Sequence, residues 1–307
     1  MINDKIQQNI VLAPYTTFQI GGQAKFFVLV NSKEELQDAI NFATTNNEPY
    51  FILGGGSNLL ISDDGFTGLV IKINNQEITI EKDVLTAGAG AKLSEVVAWS
   101  ANAGLSGLEW ATGIPGTIGG AVRGNAGAFG GETSTNILAV EYFDTKTDEF
   151  KILNKDECAF SYRHSIFKAD TDKIIWQIKL QLTKGEADKI LDQMNEILAK
   201  RLSGQPKEPS AGCVFKNLLS AEELADALAI SDKIRGGKLA CGLIVEKLNL
   251  KGHQIGGAKI SEAHANFIVN ANNAKACDVQ ALINLVKQEA KDKYNLVLEE
   301  EVQYLGF

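Results

Sequence analysis

The stretch GIPGTIGGAVRGNAGAFGGE, residues 113–132, places eight glycines among twenty residues. Glycine loses more conformational freedom on folding than any other residue, so this density is unfavourable unless the backbone must pass very close to another group. A second cluster, GGGSN at residues 54–58, follows a short apolar strand predicted at Tyr50–Leu53. Because backbone N–H groups in such loops commonly hold a phosphate, the two clusters favour a nucleotide site, with two ornate turns as the alternative.

A third glycine-containing stretch, GAGAKL at residues 88–93, lies between a predicted strand and a predicted helix, where a dinucleotide-binding fingerprint would lie. Its third glycine is missing, because Leu93 stands where glycine would permit close packing of the helix on the strand. A dinucleotide-binding site of the G-x-G-x-x-G type is therefore disfavoured.

Length and charge bound the class of protein. The chain has 307 residues, 45% hydrophobic and 22% charged, which indicates a globular protein of two or three domains. Its formal net charge of −8 argues against a nucleic-acid partner and against a basic membrane-docking surface. The N-terminal residues lack the pattern of a secretion signal, and no run approaches about 18 consecutive apolar residues. We therefore expect a soluble, cytoplasmic protein.

The cysteine and histidine patterns predict neither disulfides nor a metal site. The four cysteines are far apart in sequence without a C-x-x-C motif, and the three histidines form no closely spaced pair. Zinc sites require such closely spaced ligands. These residues are Cys158, Cys213, Cys241, Cys277, His164, His253 and His264.

Local patterns predict several elements and one boundary. Ser32 followed by Glu35 is typical of a capping box, which predicts a helix over Lys33–Thr45. The alternation of residues 295–305 predicts a strand, and the Pro-, Gly- and Ser-rich segment 203–212 predicts the main domain boundary. Periodicity predicts a helix over Glu186–Leu202 with one apolar face. That face comprises Ile190, Leu191, Met194, Ile197 and Leu198.

Six motifs in order along the chain carry a family resemblance. They are TTFQIGG (16–22), GGGSNLLISDDGF (54–66), GIPGTIGGAVRGNAGAFGGE (113–132), YRHSIF (162–167), PSAGCVFKN (209–217) and GGAKISEAHANFIVN (256–270). Together they resemble the UDP-N-acetylenolpyruvoylglucosamine reductase family, almost from end to end. The passage from Leu182 to the helix at Glu186 without a long insertion resembles the family's shorter subtype.

The resemblance implies an α+β fold with bound FAD. A two-lobed FAD-binding region of the vanillyl-alcohol-oxidase (PCMH) type, with lobes at residues 1–74 and 75–203, would precede an α+β substrate-binding domain at 204–307. By the same likeness, the FAD-binding residues would be Gly54, Gly55, Gly56, Ser57, Asn58, Leu59, Gly113, Thr117, Ile118, Gly119, Gly120, Asn125, Ala126 and Gly127.

The resemblance also implies a reaction, the NADPH-dependent reduction of an enolpyruvyl ether on a UDP-sugar, in peptidoglycan precursor synthesis. Arg163 would bind the substrate carboxylate, although an arginine beside a tyrosine is often a surface ion pair. Cys213 occupies the position at which the family commonly has a proton-donating serine. A thiol, with a reference pKa of about 8.5, is a better acid than an alcohol, although a lone cysteine is often only a small buried residue.

The third implied catalytic group is a glutamate near the C-terminus. Strand alternation singles out Glu300, which falls on the same face as Leu298 and Val302. The family pattern instead selects Glu301, and we follow it.

Four further residues match substrate-side positions of the family: Tyr162, Lys216, Asn217 and His264. For His264, a structural histidine is an equal alternative. Two other functions remain open at this point: a flavin-dependent oxidase of the same scaffold, and a flavin- or nucleotide-binding protein without catalysis. We expect a monomer whose partner is a small molecule.

Overall fold

The computed structural model describes residues 2–219 and 221–307, which form two compact units. Unit 1 contains Ala24–Gly55 and Phe66–Ser203, with the N-terminal segment that ends at Ile10. Unit 2 contains Val11–Gln23, Gly56–Gly65 and Gly204–Phe307. Each unit has its own cluster of buried apolar side chains. The division of the first 203 residues into two lobes at 74/75 stays a prediction.

The helices of the described residues are α1 Lys33–Thr45, α2 Leu93–Asn102, α3 Ile118–Gly124, α4 Ile166–Ala169, α5 Ala187–Gly204, α6 Glu222–Ala227, α7 Cys241–Lys247 and α8 Ala276–Tyr294. Among these residues, no helix combines the length and the apolar character that a membrane crossing requires.

The strands are β1 Gln7–Val11, β2 Gln23–Val30, β3 Tyr50–Leu53, β4 Leu59–Ile61, β5 Phe66–Ile73, β6 Ile78–Glu81, β7 Val84–Gly88, β8 Leu105–Ser106, β9 Gly127–Ala128, β10 Gly131–Glu132 and β11 Ile137–Asp144. They continue with β12 Glu149–Asn154, β13 Lys173–Gln181, β14 Thr183–Lys184, β15 Ser210–Cys213, β16 Leu218–Leu219, β17 Lys238–Leu239, β18 Gln254–Ile255, β19 Ala258–Ile260, β20 Phe267–Asn270 and β21 Gln303–Leu305.

Unit 1 is built on two sheets. The first has the strand order β1-β2-β5-β3, and β5 pairs in parallel with both β2 and β3. Helix α1 connects β2 to β3, because a crossover between parallel strands requires a long connection. The second sheet, with the order β12-β11-β13-β7-β6, is antiparallel throughout.

The start of α1 confirms the helix predicted over Lys33–Thr45. The Ser32 hydroxyl accepts a hydrogen bond from the Glu35 N–H at 3.2 Å, and the Glu35 carboxylate accepts one from the Asn31 N–H at 2.7 Å. A hydrogen bond from Lys5 is the main reason why the pKa of Glu35 is lowered. The hydrogen bonds that cap the helix are thus made between neighbouring residues, whereas the ion pair with Lys5 joins Glu35 to a residue distant in sequence.

The apolar face predicted for α5 is narrower than expected. Ile190 and Ile197 are buried, and Met194 packs against the core of unit 1. Leu191 and Leu198, predicted on the same face, are 50% and 41% exposed. The buried stripe of α5 follows one line of i, i+4 and i+7 contacts, and residues one position further round the helix face solvent.

Unit 2 is centred on a sheet with the order β15-β20-β19-β18, against which α8 packs. The strand predicted over residues 295–305 was too long. Only Gln303–Leu305 forms a strand, pairing in parallel with β4, while Glu300 makes a single bridge to Phe215. A local change of pairing partner explains why alternation over the whole stretch misled the prediction.

Candidate functional site

The two glycine clusters touch each other in unit 1. A Cβ atom placed on Gly55 would lie 2.4 Å from the Gly116 Cα, and one on Gly54 would lie 2.8 Å from the Thr117 Oγ1. Thr117 also caps α3, because its hydroxyl accepts a hydrogen bond from the Gly120 N–H at 3.3 Å. No side chain larger than hydrogen fits between the clusters without separating them.

Lys72 stabilises the backbone of the first cluster. The Lys72 ammonium, from β5, donates a hydrogen bond to the Gly54 carbonyl at 2.6 Å. Burial lowers the pKa of Lys72. The bond fixes the direction of the Gly54 peptide unit at the point where β3 ends.

Part of the second cluster is committed to the protein's own backbone. The Ile118 N–H donates to the Ala91 carbonyl at 2.9 Å, and the Gly119 N–H donates to the Ala89 carbonyl at 3.0 Å. A Cβ on Gly119 would lie 2.8 Å from the Ala89 Cβ. Glycine at 119 is therefore required by the packing of α3 against the 89–91 segment, whether or not a ligand is bound.

The two ends of the second cluster are also anchored. Arg201, from α5, donates from Nε to the Thr112 carbonyl at 2.7 Å, and its Cδ lies 2.9 Å from the position of a Cβ on Gly113. At the other end, the Ala126 carbonyl accepts hydrogen bonds from both the N–H and the hydroxyl of Thr133, at 2.8 and 2.9 Å.

Arg163 lies at the tip of a tight turn in unit 1. Ser161 and His164 exchange two backbone hydrogen bonds of 3.1 Å, which leaves Tyr162 and Arg163 as the central residues. Arg163 has a φ of +54°, a left-handed conformation that is uncommon for residues with a side chain. Its guanidinium lies 5.4 Å from the centre of the Tyr162 ring. The sequence-predicted pair Tyr162 and Arg163 is thus presented together.

The turn is joined to the end of the second glycine cluster. Arg163 donates to the Gly127 carbonyl at 3.0 Å and to the Asn125 carbonyl at 3.5 Å. Asn125 is fully buried, donates to the Ser161 carbonyl at 3.0 Å and accepts from the Ser134 N–H at 3.0 Å. These bonds hold the guanidinium plane of Arg163 in one orientation beside residues 125–127.

Three buried polar atoms next to the second cluster have no hydrogen-bond partner among the described residues: Glu109 Oε1, Trp110 Nε1 and Thr112 Oγ1. Each such atom costs about 1–3 kcal/mol if it stays unsatisfied. They lie just before Gly113, and the indole packs so tightly against Gly131 that a Cβ there would lie 2.4 Å from Trp110 Cγ. The Glu109 oxygen requires a donor such as a hydroxyl, the indole N–H requires an acceptor oxygen, and the Thr112 hydroxyl can pair with either. FAD carries both hydroxyl donors and acceptor oxygens, so the residues present fit FAD.

The first glycine cluster continues in unit 2 with Gly56, Ser57, Asn58 and Leu59. The Asn58 side chain donates to the Glu301 carbonyl at 3.0 Å, and the Asn58 carbonyl accepts from the Gln303 N–H at 3.0 Å. Leu59 then pairs with Gln303 as β4 begins. Asn58, which we predicted to bind the cofactor, thus also fixes the backbone of Glu301, which we predicted to be catalytic.

Cys213 is the last residue of β15 and is half-buried. It pairs with Phe267 of β20, after Gly212 (φ +77°) and a shift of register. The next residue, Val214, accepts a hydrogen bond from the Glu301 N–H at 2.7 Å. The structure therefore brings Cys213 and Glu301 to adjacent backbone segments of unit 2.

Glu300 and Glu301 differ in what they contact. The Glu300 carboxylate accepts a hydrogen bond from Lys287 of α8 at 2.7 Å, and another from the Tyr304 hydroxyl. Desolvation, and then the bond to Glu300, raise the pKa of Tyr304. Glu300 is thus engaged in an ion pair with α8, in which Lys287 compensates its charge.

Lys216 and Asn217 lie on the same segment as Cys213. The Lys216 N–H donates to the Glu299 carbonyl at 2.8 Å, and its ammonium forms an ion pair with the Glu299 carboxylate. The Asn217 side chain accepts a hydrogen bond from the Cys241 N–H at 3.3 Å, at the start of α7.

His264 is surrounded by protein on several sides. Its Nδ1 accepts a hydrogen bond from the Asn266 N–H at 3.3 Å, and its ring lies 4.8 Å from that of Phe267. A Cβ on Gly242 would lie 3.3 Å from its Cε1. Burial lowers the pKa of His264, which favours the neutral ring. These contacts account for His264 as a structural histidine, and its role toward a substrate stays a prediction.

The structure thus groups the predicted site residues within each unit. Unit 1 assembles Arg163 and Tyr162 with residues 125–127, and unit 2 assembles Cys213, Glu301 and Asn58. All four cysteines lie in the described part of the chain and form no disulfide there. Residues 2–219 and 221–307 contain no group of three metal-ligating side chains.

Sequence patterns missed Lys72, Glu109 and Asn266. Each is a polar residue with apolar neighbours, in the stretches VIKI, GLEWA and HANFIV. Because buried polar groups are almost always hydrogen-bonded, such an isolated polar residue indicates a specific partner, which its sequence does not identify.

Two family models match successive parts of the chain. One, described as an FAD binding domain, covers residues 24–151, and the other, described as the C-terminal domain of UDP-N-acetylenolpyruvoylglucosamine reductase, covers residues 205–305. Together with the solved structure below, they confirm the predicted fold class, an FAD-binding region followed by an α+β domain.

Relatives match over nearly the full length. UDP-N-acetylenolpyruvoylglucosamine reductase from Solibacter usitatus is 36% identical, over 99% of this chain and 98% of that protein. The one from Lactobacillus helveticus is 38% identical, over 98% of this chain and 95% of that protein. The crystal structure of UDP-N-acetylenolpyruvylglucosamine reductase from Thermus caldophilus matches with a TM-score of 0.80 and 34% identity, over 98% of this chain and 100% of that one.

Proposed function

This chain belongs to the UDP-N-acetylenolpyruvoylglucosamine reductase family of FAD-containing oxidoreductases, and on that premise we propose that it uses NADPH to reduce UDP-N-acetylglucosamine-enolpyruvate to UDP-N-acetylmuramate. One observation carries the proposal: both family models match this chain, in order, and its relatives align over nearly their whole length. The reaction consumes NADPH and one proton and yields NADP⁺. The cytoplasmic location and the monomeric state stay predictions.

Bound FAD would supply the redox chemistry, the passage of a hydride from NADPH to the terminal methylene carbon of the enolpyruvyl group. The residues that would hold it are the contacting glycines 54, 55 and 116, with the segment 125–127. Close contact between the two clusters supports this assignment, because it leaves backbone, without side chains, facing any group bound there. The unsatisfied atoms of Glu109, Trp110 and Thr112 support it further.

Arg163 would bind the carboxylate of the enolpyruvyl group. Negative charge collects on that carboxylate and the carbon beside it when the hydride arrives, and a guanidinium held in fixed orientation stabilises it. The bonds from Arg163 to the carbonyls of Asn125 and Gly127 support this role, because they orient the side chain beforehand. Preorganised donors avoid the cost of reorienting during the reaction.

Cys213 would donate the proton to the carbon beside the carboxylate, and its thiolate would regain a proton from solvent. Its half-buried position supports this assignment when compared with the other cysteines. Burial raises the pKa of Cys158 to about 11 and that of Cys241 to about 12. Cys277, which is exposed, has a raised pKa through desolvation and the neighbouring Asp63 and Asp278.

Glu301 would assist at the same carbon. Its backbone bond to Val214, next to Cys213, supports this role. Glu300 is the weaker candidate, because its carboxylate is already paired with Lys287 and Tyr304. An acid held within reach of the reacting carbon contributes typically about 10²- to 10⁴-fold to the rate.

Anaerobic stopped-flow absorbance tests the proposed function. NADPH should bleach the flavin of the purified protein, and UDP-N-acetylglucosamine-enolpyruvate should restore the colour without oxygen, with UDP-N-acetylmuramate as product. Recovery with oxygen but not with this substrate would indicate an oxidase. A flavin that NADPH does not bleach would indicate a binding protein without this catalysis.

A further inference from the structure

Asn266 makes an unusually complete set of hydrogen bonds to one backbone segment of unit 2. Its Oδ1 accepts from the Phe215 N–H at 3.0 Å, and its Nδ2 donates to the Phe215 carbonyl at 2.8 Å. Its own carbonyl accepts from the Val214 N–H at 2.8 Å. The side chain is 2% exposed, so water does not compete for these partners.

The Asn266 side-chain amide takes the place of backbone pairing where the pairing of β15 with β20 ends. Strand β15 pairs with β20 only as far as Cys213 opposite Phe267, and the register has already shifted after Ser210. Beyond that pair, the Asn266 amide offers Phe215 one acceptor and one donor, as a neighbouring strand would. The segment that follows Cys213 therefore stays aligned with β20 although the sheet has ended.

The opposite edge of this segment carries the C-terminal glutamates. The Glu301 N–H donates to the Val214 carbonyl at 2.7 Å, and the Lys216 N–H donates to the Glu299 carbonyl at 2.8 Å. Phe215 forms a bridge with Glu300 between these two bonds. The segment from Cys213 to Lys216 thus lies between Asn266 on one side and residues 299–301 on the other.

We propose that Asn266 is a positioning residue for the proton-transfer step, because it sets the distance between Cys213 and Glu301. The proposal rests on the proposed function, in which these two groups serve the carbon that receives the proton. Cys213 and Glu301 are both joined to the segment that Asn266 holds. Cys213 directly precedes Val214, and the Glu301 N–H is hydrogen-bonded to the Val214 carbonyl. A displacement of about 1 Å at such a site can cost about 10²-fold in rate.

The decisive variant is Asn266→Asp, which keeps the size of the side chain and the acceptor for the Phe215 N–H. At neutral pH it replaces the donor to the Phe215 carbonyl by a carboxylate oxygen, so the two oxygens repel each other. The matched control is Asn270→Asp, at the last residue of β20, the strand that Asn266 directly precedes. The Asn270 side chain also bonds backbone groups: it donates to the Phe18 carbonyl at 3.2 Å and the Gln19 carbonyl at 3.5 Å, and it accepts from the Ala274 N–H at 2.8 Å. None of these partners belongs to the Cys213 segment.

The two half-reactions are measured separately under anaerobic conditions, with flavin content and melting temperature recorded for each variant. For Asn266→Asp, we expect flavin reduction by NADPH within about 2-fold of the unmodified protein, and flavin reoxidation by saturating UDP-N-acetylglucosamine-enolpyruvate slowed by about 30- to 100-fold. For Asn270→Asp, both rates should stay within about 3-fold, since it tests only the general cost of a carboxylate in this strand.

Reoxidation at the unmodified rate in Asn266→Asp, or equal slowing in Asn270→Asp, would overturn the positioning role. The proposed function fails separately, if the unmodified protein is not reoxidised by the substrate. Should Asn266→Asp lose its flavin or unfold, amide hydrogen exchange of the unmodified protein decides. The Phe215 and Glu301 amides should exchange within about tenfold of the Ile268 amide in β20, and exchange about a thousandfold faster would overturn the proposal.

Discussion

Substitution of Gly55 by alanine tests the contact between the two glycine clusters. The new Cβ would lie 2.4 Å from the Gly116 Cα and 2.9 Å from the Gly116 carbonyl carbon. Because both atoms are backbone, no side-chain rotation relieves the overlap, and the clusters must separate. Overpacking of this kind costs about 1–3 kcal/mol. In the apoprotein, the two clusters can move apart and so relieve the overlap, whereas bound FAD would hold them together. The energetic cost of the overlap should therefore appear as weaker FAD binding, by about 5- to 150-fold.

The assay is FAD titration of the apoprotein, followed by quenching of flavin fluorescence, together with the flavin content of the purified protein. Gly124→Ala is the matched control, because a Cβ there meets no heavy atom of the described residues within 4 Å. Gly124 is the last residue of α3, where the preference for alanine is smaller than the roughly 1 kcal/mol of a helix interior. The flavin affinity of Gly124→Ala should therefore be unchanged and its melting temperature equal or higher. A Gly55→Ala protein with unchanged flavin affinity would refute the contact and the cofactor assignment built on it.

Three further predictions address the chemistry and the stability. Glu301→Gln should slow flavin reoxidation by substrate about 10²-fold or more. Glu300→Gln should stay within about 3-fold and lower the melting temperature slightly instead, because it removes the charge that pairs with Lys287 in a partly exposed ion pair. Stopped-flow absorbance and thermal melts separate the two. Cys213→Ser should remain active, and Cys213→Ala should lose about 10²-fold in turnover while NADPH still reduces its flavin; a fully active alanine variant would remove the donor role. Burial raises the pKa of Cys241 to about 12 and that of Cys158 to about 11. In the unfolded chain the thiol pKa is about 8.5. The stability that the two buried thiols contribute is therefore complete below about pH 8.5 and is lost as the pH rises toward the pKa values of the folded protein. In urea unfolding at pH 8, 9 and 10, the free energy of unfolding should fall as the pH rises, and it should fall less steeply in Cys241→Ala. The same dependence on pH in Cys241→Ala as in the unmodified protein would show that the Cys241 thiol is not the cause of the fall.

Features that depend on neighbours in sequence could be predicted. The capping residues predicted the start of helix α1. The glycine clusters predicted that two backbone segments lie very close together, and Gly55 and Gly116 are in such contact. The order of six motifs was enough to identify the family, which the full-length relatives confirm.

Features that depend on distant partners could not be predicted in the same way. Alternation alone favoured Glu300, and only the position of Lys287 on α8 shows why a carboxylate is tolerated on that face. Glycine at 119 suggested a ligand, whereas its packing against Ala89 is itself a sufficient reason for it. The apolar residues of α5 suggested a broad buried face, but Leu191 is exposed because no neighbouring element covers it within unit 1.

By itself, the sequence determined the family, the FAD-binding class of the first region and the residue types available for the chemistry, because these follow from motifs, capping residues and glycine, whose effects are local. The tertiary structure decided which of those residues meet. Asn58 and Glu301 are separated by 243 positions, and Asn266 reaches Phe215 across 51. Such hydrogen bonds depend on where the sheet ends and which strands adjoin it, and packing of the whole unit settles both.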